Sequence, residues 1–327
     1  MRNHFEGKNV LITGGLGFIG SNLALRLHGL GANLTLVDSL IPEYGGSLFN
    51  VDQIKHDVKV NISDVRDVYS VQHLVQEQDY LFNLAGQTSH LDSMVHPVAD
   101  LEINCHAQLS ILEACRACNL DVKIVFASTR QVYGRPEFLP VTESHPLNPV
   151  DVNGINKMSG EKYRLLYSSV HGVHATAVRL TNTIGPRMRI KDSRQTFVGI
   201  WIRQLLEGKP IEVWGGQQLR DFTDVEDAVD AFLLVAAGEE TDGEVYNLGG
   251  NEVVDLGTLA KLMVEVNGSG EYSIREFPPE RHAIDIGDYY GDFSKIRTAL
   301  GWTPKRTLRE TIETTLAYYR AHLPHYL

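Results

Sequence analysis

The chain has 327 residues, a formal net charge of -11, 43% hydrophobic and 22% charged residues. That length accommodates one large or two modest domains with a sizeable core, and the composition is ordinary for a soluble globular protein. The acidic balance argues against a nucleic-acid partner, which needs a basic footprint, and no apolar run approaches the ~20 residues of a membrane span, although local arginines remain able to hold an anionic ligand.

Met1-Arg2-Asn3-His4-Phe5-Glu6 lacks the apolar core of a signal peptide. The first predicted strand is Asn9-Val10-Leu11-Ile12, with the length and branching of a buried strand. Thr13-Gly14-Gly15-Leu16-Gly17-Phe18-Ile19-Gly20 follows, and Phe18, Ile19, Leu23 and Leu27 then recur at helical spacing to Leu30. Strand, glycine turn and helix form the context in which Gly14, Gly17 and Gly20 read as a pyrophosphate cradle. The helix start offers free N–H groups and a positive dipole end to that anion.

A second strand, Asn33 to Val37, ends in Asp38, about 20 residues beyond the glycine turn. An aspartate there can accept hydrogen bonds from a ribose and would repel a 2′-phosphate, so the expected cofactor is NAD rather than NADP. Ile41 to Asn50 reads as a loop. Val58 to Ile62 is a third strand, Val68 to Val75 a helix, and Tyr80 to Leu84 a fourth strand running into Ala85-Gly86-Gln87. Val98 to Cys118 is a long helix, with Leu101, Cys105, Leu109 and Leu112 on one side. It carries Cys105, Cys115 and Cys118, with no second ligand pair near Cys115-x-x-Cys118. Neither a metal site nor a disulfide framework follows, and a cytoplasmic location is expected. Val122 to Phe126 is a fifth strand, Asn153 to Val170 a helix, and Ala175 to Leu180 a sixth strand.

Strands alternating with helices imply an α/β fold with a doubly wound parallel sheet. Ligands then lie at the carboxyl ends of the strands. Beyond residue 180 the pattern is broken by Gly185-Pro186, Gly208-Lys209-Pro210, Gly215-Gly216 and Pro278-Pro279. The expected organisation is a Rossmann-type NAD-binding domain over 1–180, with a returning segment near 222–248, and a smaller substrate-binding lobe over 181–327. Asp224 to Ala237 is the helix expected to return to the sheet.

Several ordered motifs together resemble the extended short-chain dehydrogenase/reductases, in particular the nucleotide-sugar epimerases and dehydratases. They are Thr13 to Gly20, Ser63-Asp64-Val65-Arg66-Asp67, Leu84-Ala85-Gly86, Ser128-Thr129-Arg130-Gln131-Val132-Tyr133-Gly134, Arg179 to Pro186, Gln218-Leu219-Arg220-Asp221-Phe222, Ser294-Lys295 and Leu300-Gly301-Trp302-Thr303-Pro304. The resemblance implies a nucleotide-sugar substrate. It places Phe18 and Ile19 along the dinucleotide pyrophosphate and Asp64 and Val65 at the adenine. Leu84, Ala85 and Gly86 would pass under the cofactor, with Lys157 at the nicotinamide ribose. Asn182, Arg220 and Arg281 match positions that bind the substrate diphosphate. A guanidinium fork suits a phosphate. The helices Val98 to Cys118 and Asn153 to Val170 match those that pair in the family's dimer, so a homodimer is expected.

The family's chemistry uses Tyr-x-x-x-Lys, with tyrosine as acid/base and lysine one turn on. Here the stretch is Asn153-Gly154-Ile155-Asn156-Lys157. The lysine is present, and the tyrosine position holds Asn153. An amide does not titrate in the useful range, and general acid–base catalysis contributes roughly 10²–10⁴-fold. Thr129 matches the residue that hydrogen-bonds the reacting hydroxyl. After it, the usual dehydratases carry Asp-Glu as acid and base, whereas this chain has Arg130-Gln131. Arg130 adds a fixed positive charge where the sugar would lie. Lys157 could serve as base if burial depressed its pKa. His90, just past the fourth strand, could project toward the site, although a histidine there more commonly has no titrating role. Tyr133 and Tyr163 are favoured for neither role, the first because it packs structurally in the family, the second because it lies far down its helix. Epimerase-like chemistry through transient oxidation is the expectation. A dehydratase with an unusual base and a non-catalytic cofactor-bound protein are the alternatives.

Overall fold

The computed structural model describes residues 1–278 and 284–327. Its strands are β1 (Asn9–Thr13), β2 (Asn33–Asp38), β3 (Lys59–Ile62), β4 (Tyr80–Asn83), β5 (Lys123–Thr129), β6 (Ala175–Leu180), β7 (Asn182–Ile184), β8 (Ile211–Trp214), β9 (Leu219–Asp224), β10 (Val245–Asn247), β11 (Val253–Asp255) and β12 (Tyr272–Arg275). Seven of them make one sheet in the order β10-β6-β5-β4-β1-β2-β3, and every pairing in it is parallel. A parallel sheet needs crossover connections, and those helices cover both faces.

The two-residue period of each strand sorts its side chains between two cores. Val10, Ile12, Leu34, Leu36, Phe82 and Val125 face one cluster, which the helices Phe18–Gly29 and Val225–Ala237 complete through Leu23, Leu27, Ala228 and Phe232. Leu11, Val37, Leu81 and Ile124 face the other, closed by Ile111 and Leu112 of Ala107–Cys118 and by Tyr167 of Val152–His171. The sheet is therefore doubly wound. Helix Val225–Ala237 returns the chain to it, and β10 adds its seventh strand beside β6. Trp302 pins the C-terminal segment to this helix, donating through Nε1 to Asp227 O at 2.9 Å.

A second body of apolar residues includes Ile184, Trp201, Ile202, Leu259, Met263, Ile312 and Leu316. It is built on the three-stranded sheet β11-β9-β7, the parallel pair β12-β8 and three helices, Phe197–Leu206, Leu256–Asn267 and Leu308–His322. Phe18, at the start of the first long helix, packs into this body.

One predicted element differs. The long helix expected over 98–118 is an α-helical turn Pro97–Leu101, a π turn Glu102–His106 and then the α-helix Ala107–Cys118. A π turn accommodates one extra residue and often marks a functional segment. Here it carries Asn104, whose Nδ2 donates to Gln87 O at 2.9 Å.

Candidate active site

The strand order turns at β1 and β4, the topological switch where open α/β sheets bind ligands. Thr13 and Asn83 tie the two strand ends together, Thr13 Oγ1 donating to Asn83 Oδ1 at 2.8 Å. Ala85 N then donates to Thr13 Oγ1 at 3.2 Å. A cleft opens over this point. Every residue assigned from sequence to the dinucleotide and to the reacting sugar lines it, with Arg130 and Asn182. Arg220 does not line it, and Arg281 lies outside the described residues.

At one end lies the glycine turn. Gly14 has φ +68, and a Cβ on it would stand 2.9 Å from Ala85 N. A Cβ on Gly20 would fall 2.1 Å from Gly14 O. The turn therefore packs too tightly for any side chain at either place. Helix Phe18–Gly29 has Gly17 as its N-cap and no side-chain cap, so its first N–H groups face the cleft without an internal acceptor. The Asp38 carboxylate accepts from Leu40 N at 3.0 Å and Leu16 N at 3.2 Å. Burial nevertheless raises its pKa. Asp64 is gripped by Arg66, Nε to Oδ1 at 3.0 Å and Nη2 to Oδ2 at 2.7 Å, which lowers its pKa.

The other end is set by helix Val152–His171. Asp151 caps it, Oδ1 accepting from Gly154 N at 2.6 Å. Asn153 and Lys157 are both buried, one turn apart. The Asn153 amide does not reach freely into the cleft. Its Nδ2 donates to Gln87 O at 2.8 Å and lies 3.1 Å from Asp100 Oδ2. Asn156 Nδ2 donates to Asp100 Oδ1 at 2.8 Å. A carboxylate 1% exposed is thus satisfied by two amides. Lys157 Nζ has one long hydrogen bond, 3.3 Å to Ala127 O. A Cβ on Gly86 would stand 2.7 Å from it. Burial, helped by the Arg164 charge, pulls its pKa down to about 8. Thr129 Oγ1 accepts from Gln131 N at 3.2 Å and starts the short turn Arg130–Tyr133.

Arg130 packs against the Tyr289 ring, 5.5 Å from its centroid. Its Nε is buried with no partner, and among the described residues the guanidinium has no ion pair. Asn182 Nδ2 is likewise buried and unpartnered. Arg220 is committed to its own surroundings: Nη1 donates to Gly287 O and to Leu219 O, and Nη2 lies 3.8 Å from Asp285 Oδ1. Tyr133 is locked in the core, its hydroxyl donating to Asn247 Oδ1 at 2.6 Å, and burial pushes its pKa up to about 12.

His90 lines the cleft and pairs with Asp151, Nδ1 to Oδ2 at 3.0 Å. The sequence reading weighed His90 and missed Asp151, Gln87 and Asp100. A capping signature two residues before Asn153 was the one local signal for Asp151; its second contact is tertiary. Tyr44, Gln195 and Thr196 also line the cleft, and nothing local in the sequence marks them.

Residues 10–249 match the family described as the NAD dependent epimerase/dehydratase family. The chain belongs to that family. A UDP-glucuronic acid decarboxylase 1 of Xenopus tropicalis is 31% identical over 336 residues, covering 98% of this chain and 74% of its own. A putative UDP-glucose 4-epimerase of Methanocaldococcus jannaschii is 30% identical over 314 residues, covering 95% and 98%. The crystal structure of a UDP-glucose 4-epimerase from Thermotoga maritima, with UDP-glucose, superposes with a TM-score of 0.88 at 29% identity, over 96% of this chain and 99% of that one. These relatives carry different reaction names, so likeness assigns the family without selecting its reaction.

The family's cofactor is NAD, and this site fits it. The uncapped helix end and the Gly14 and Gly20 cradle suit a pyrophosphate. Lys157 has three donors and a single weak acceptor, and Asn104 Oδ1 is buried without a partner. Ribose hydroxyls can satisfy such groups. Among the described residues no helix is long and apolar enough to cross a membrane, and no group of three or more His, Cys, Asp or Glu side chains is placed to hold a metal ion.

Proposed function

We propose that this chain is a nucleotide-sugar epimerase-like enzyme that oxidises its sugar transiently and reduces it again, with Asn153 at the tyrosine position. What supports this most is one continuous cleft. The glycine turn and Asp38 lie at one end, Thr129 and Lys157 at the other, and Arg130 and Gln131 stand where a dehydratase needs its acid and base. Arg is always charged and Gln is never an acid. NAD, when bound, supplies the hydride acceptor and donor. In this reading Asp38 holds the adenosine ribose and Lys157 the nicotinamide ribose, while Thr129 orients the reacting hydroxyl. Asn182 and Arg281 serve the diphosphate, and Arg220 joins them after releasing Gly287 O.

UDP-sugars are the first substrates to test, since the relatives' names carry them. The unpaired Arg130 favours a sugar with an anionic group, such as a uronic acid. A panel of neutral and acidic nucleotide sugars, followed by product mass, decides the matter. The expected product is an isomer of unchanged mass. Loss of one water would make the enzyme a dehydratase, loss of carbon dioxide a decarboxylase. Binding without change for every sugar would leave a cofactor-bound binding protein.

The assembly we propose is a homodimer. Val98, Leu101, Ile155, Leu166 and Val170 are exposed on Pro97–Leu101 and Val152–His171, an apolar surface suited to a bundle between subunits. Light scattering of the Leu166→Lys variant should report a monomer; an unchanged dimer would place the interface elsewhere.

A further inference from the structure

Oxidising a sugar hydroxyl releases a proton, and the residue that usually takes it is absent. The groups around the cleft can be compared for that task. Lys157 has its pKa drawn down to about 8, so near neutral pH it is mostly an ammonium, with no lone pair to offer. Asp100 is closed off by the two asparagine amides. Burial raises the pKa of Tyr44, which keeps that phenol protonated. Tyr133 is buried and bonded to Asn247.

His90 differs from all of these. It begins the helix His90–Val95, with Ser89 as N-cap. Its side chain is 37% exposed and lines the cleft, while its partner Asp151 is 1% exposed. The pair therefore has one end sealed in protein and one end open to a substrate. Asp151 Oδ2 also accepts from Gln131 Nε2 at 3.0 Å, and Oδ1 accepts from Gly154 N. Burial works to raise the Asp151 pKa, but the neighbouring His90 foremost, with the Gly154 and Gln131 bonds after it, outweighs burial and holds the carboxyl below its ordinary value. His90 Nδ1 faces both Asp151 Oδ2 at 3.0 Å and Gln131 Nε2 at 3.2 Å; the amide donates to Asp151 Oδ2, and the carboxylate, which can only accept, favours the ring hydrogen on Nδ1. Nε2 is then a bare lone pair, and among the described residues it has no partner. An imidazole whose tautomer is fixed by a buried carboxylate is the arrangement of a general base. Thr129 lies one contact away, since Gln131 binds Thr129 Oγ1 through its N–H and Asp151 through its side chain.

We propose that His90, positioned by Asp151, is the acid/base of this site. This rests on the oxidation–reduction reading above. The sugar O–H bond breaks and its proton forms an N–H bond at His90 Nε2. The freed pair becomes the second C–O bond, as the C–H pair leaves the same carbon as hydride to NAD. Reduction reverses each transfer, and Nε2 returns the proton. Gln131, unable to act as an acid, holds the carboxylate in line.

Two measurements test this. In the cofactor-free protein, ¹⁵N NMR of the ring should find neutral His90 as the Nδ1–H tautomer, and Asp151→Asn should erode that preference while keeping the helix cap. On whichever nucleotide sugar the wild type converts, His90→Gln should lower kcat about 10²–10⁴-fold with sugar affinity within about twofold of wild type. His90→Ala should regain turnover with added imidazole. A His90→Gln enzyme with wild-type kcat, or a neutral ring protonated at Nε2, overturns the assignment and leaves the nucleotide-sugar reading intact. A wild type that binds every sugar and converts none overturns that reading instead, and the assignment with it.

Discussion

Asn153 Nδ2 lies 3.1 Å from Asp100 Oδ2, and that contact gives the amide its task. The side chain at the tyrosine position is a structural donor that helps keep a buried carboxylate satisfied. Restoring the family residue should therefore fail. Asn153→Tyr removes one of the two amides on Asp100 and forces a ring into a site 2% exposed. We expect a loss of about 1–3 kcal/mol in unfolding free energy and lower activity, read by urea denaturation and turnover. A variant of wild-type stability with new activity on a common sugar would mean that only the base was missing.

Lys157 carries a stability cost that can be measured. Its pKa falls from 10.5 to about 8, chiefly through burial. Between those values the unfolded chain holds a proton that the folded one has released. Stability of the cofactor-free protein should therefore gain with rising pH across that window, relative to Lys157→Met. Below it the folded protein keeps a buried ammonium. Lys157→Met should then be more stable near neutral pH, by up to about 3 kcal/mol, and inactive. Denaturation of both proteins at neutral and alkaline pH checks the sign.

Arg130 buries its guanidinium Nε without a partner and, among the described residues, has no carboxylate paired with it, an expensive arrangement unless a ligand supplies the anion. Arg130→Leu should weaken an acidic nucleotide sugar about tenfold or more and leave its neutral counterpart within about twofold. Calorimetric titration of the pair decides it. Equal losses for both sugars would reassign Arg130 to the diphosphate.

Asp38 should govern the choice between dinucleotides. Asp38→Ser removes the carboxylate that would repel a 2′-phosphate and accept from a ribose. The preference for NAD over NADP should shrink by about ten- to a hundredfold, a change of roughly 1.4–3 kcal/mol, measurable by fluorescence titration. An unchanged ratio would show that the adenosine ribose lies elsewhere.

The fold was legible because its signals are local. Short apolar runs alternating with helical spacing specify a covered parallel sheet. The turn at Gly14 needs a conformation and a closeness that no side chain permits. The chemical end of the cleft was not legible to the same depth. Asn153 meets Asp100 and Gln87 across 53 and 66 positions of chain, and no spacing rule announces such a meeting. The helix cap at Asp151 could be read from its neighbours, but the imidazole on its other oxygen could not. Arg220 was expected at the substrate diphosphate, yet its Nη1 is taken by the carbonyls of its neighbour Leu219 and of the distant Gly287. Arg130 was flagged by its charge alone; that it lacks an anion is a property of the packed site.

The π turn Glu102–His106 links these observations. A residue in an α-helix sits about 100° around the axis from its neighbour, so the extra residue resets the phase between Asp100 before the turn and Gln108 after it. Deleting one residue there would leave a continuous helix while swinging Asp100 away from Asn153 and Asn156. Two amides would lose their acceptor, and the segment bearing Lys157 would lose its backing. A one-codon deletion there, far from the glycine turn, would separate the cofactor site from the chemistry it serves.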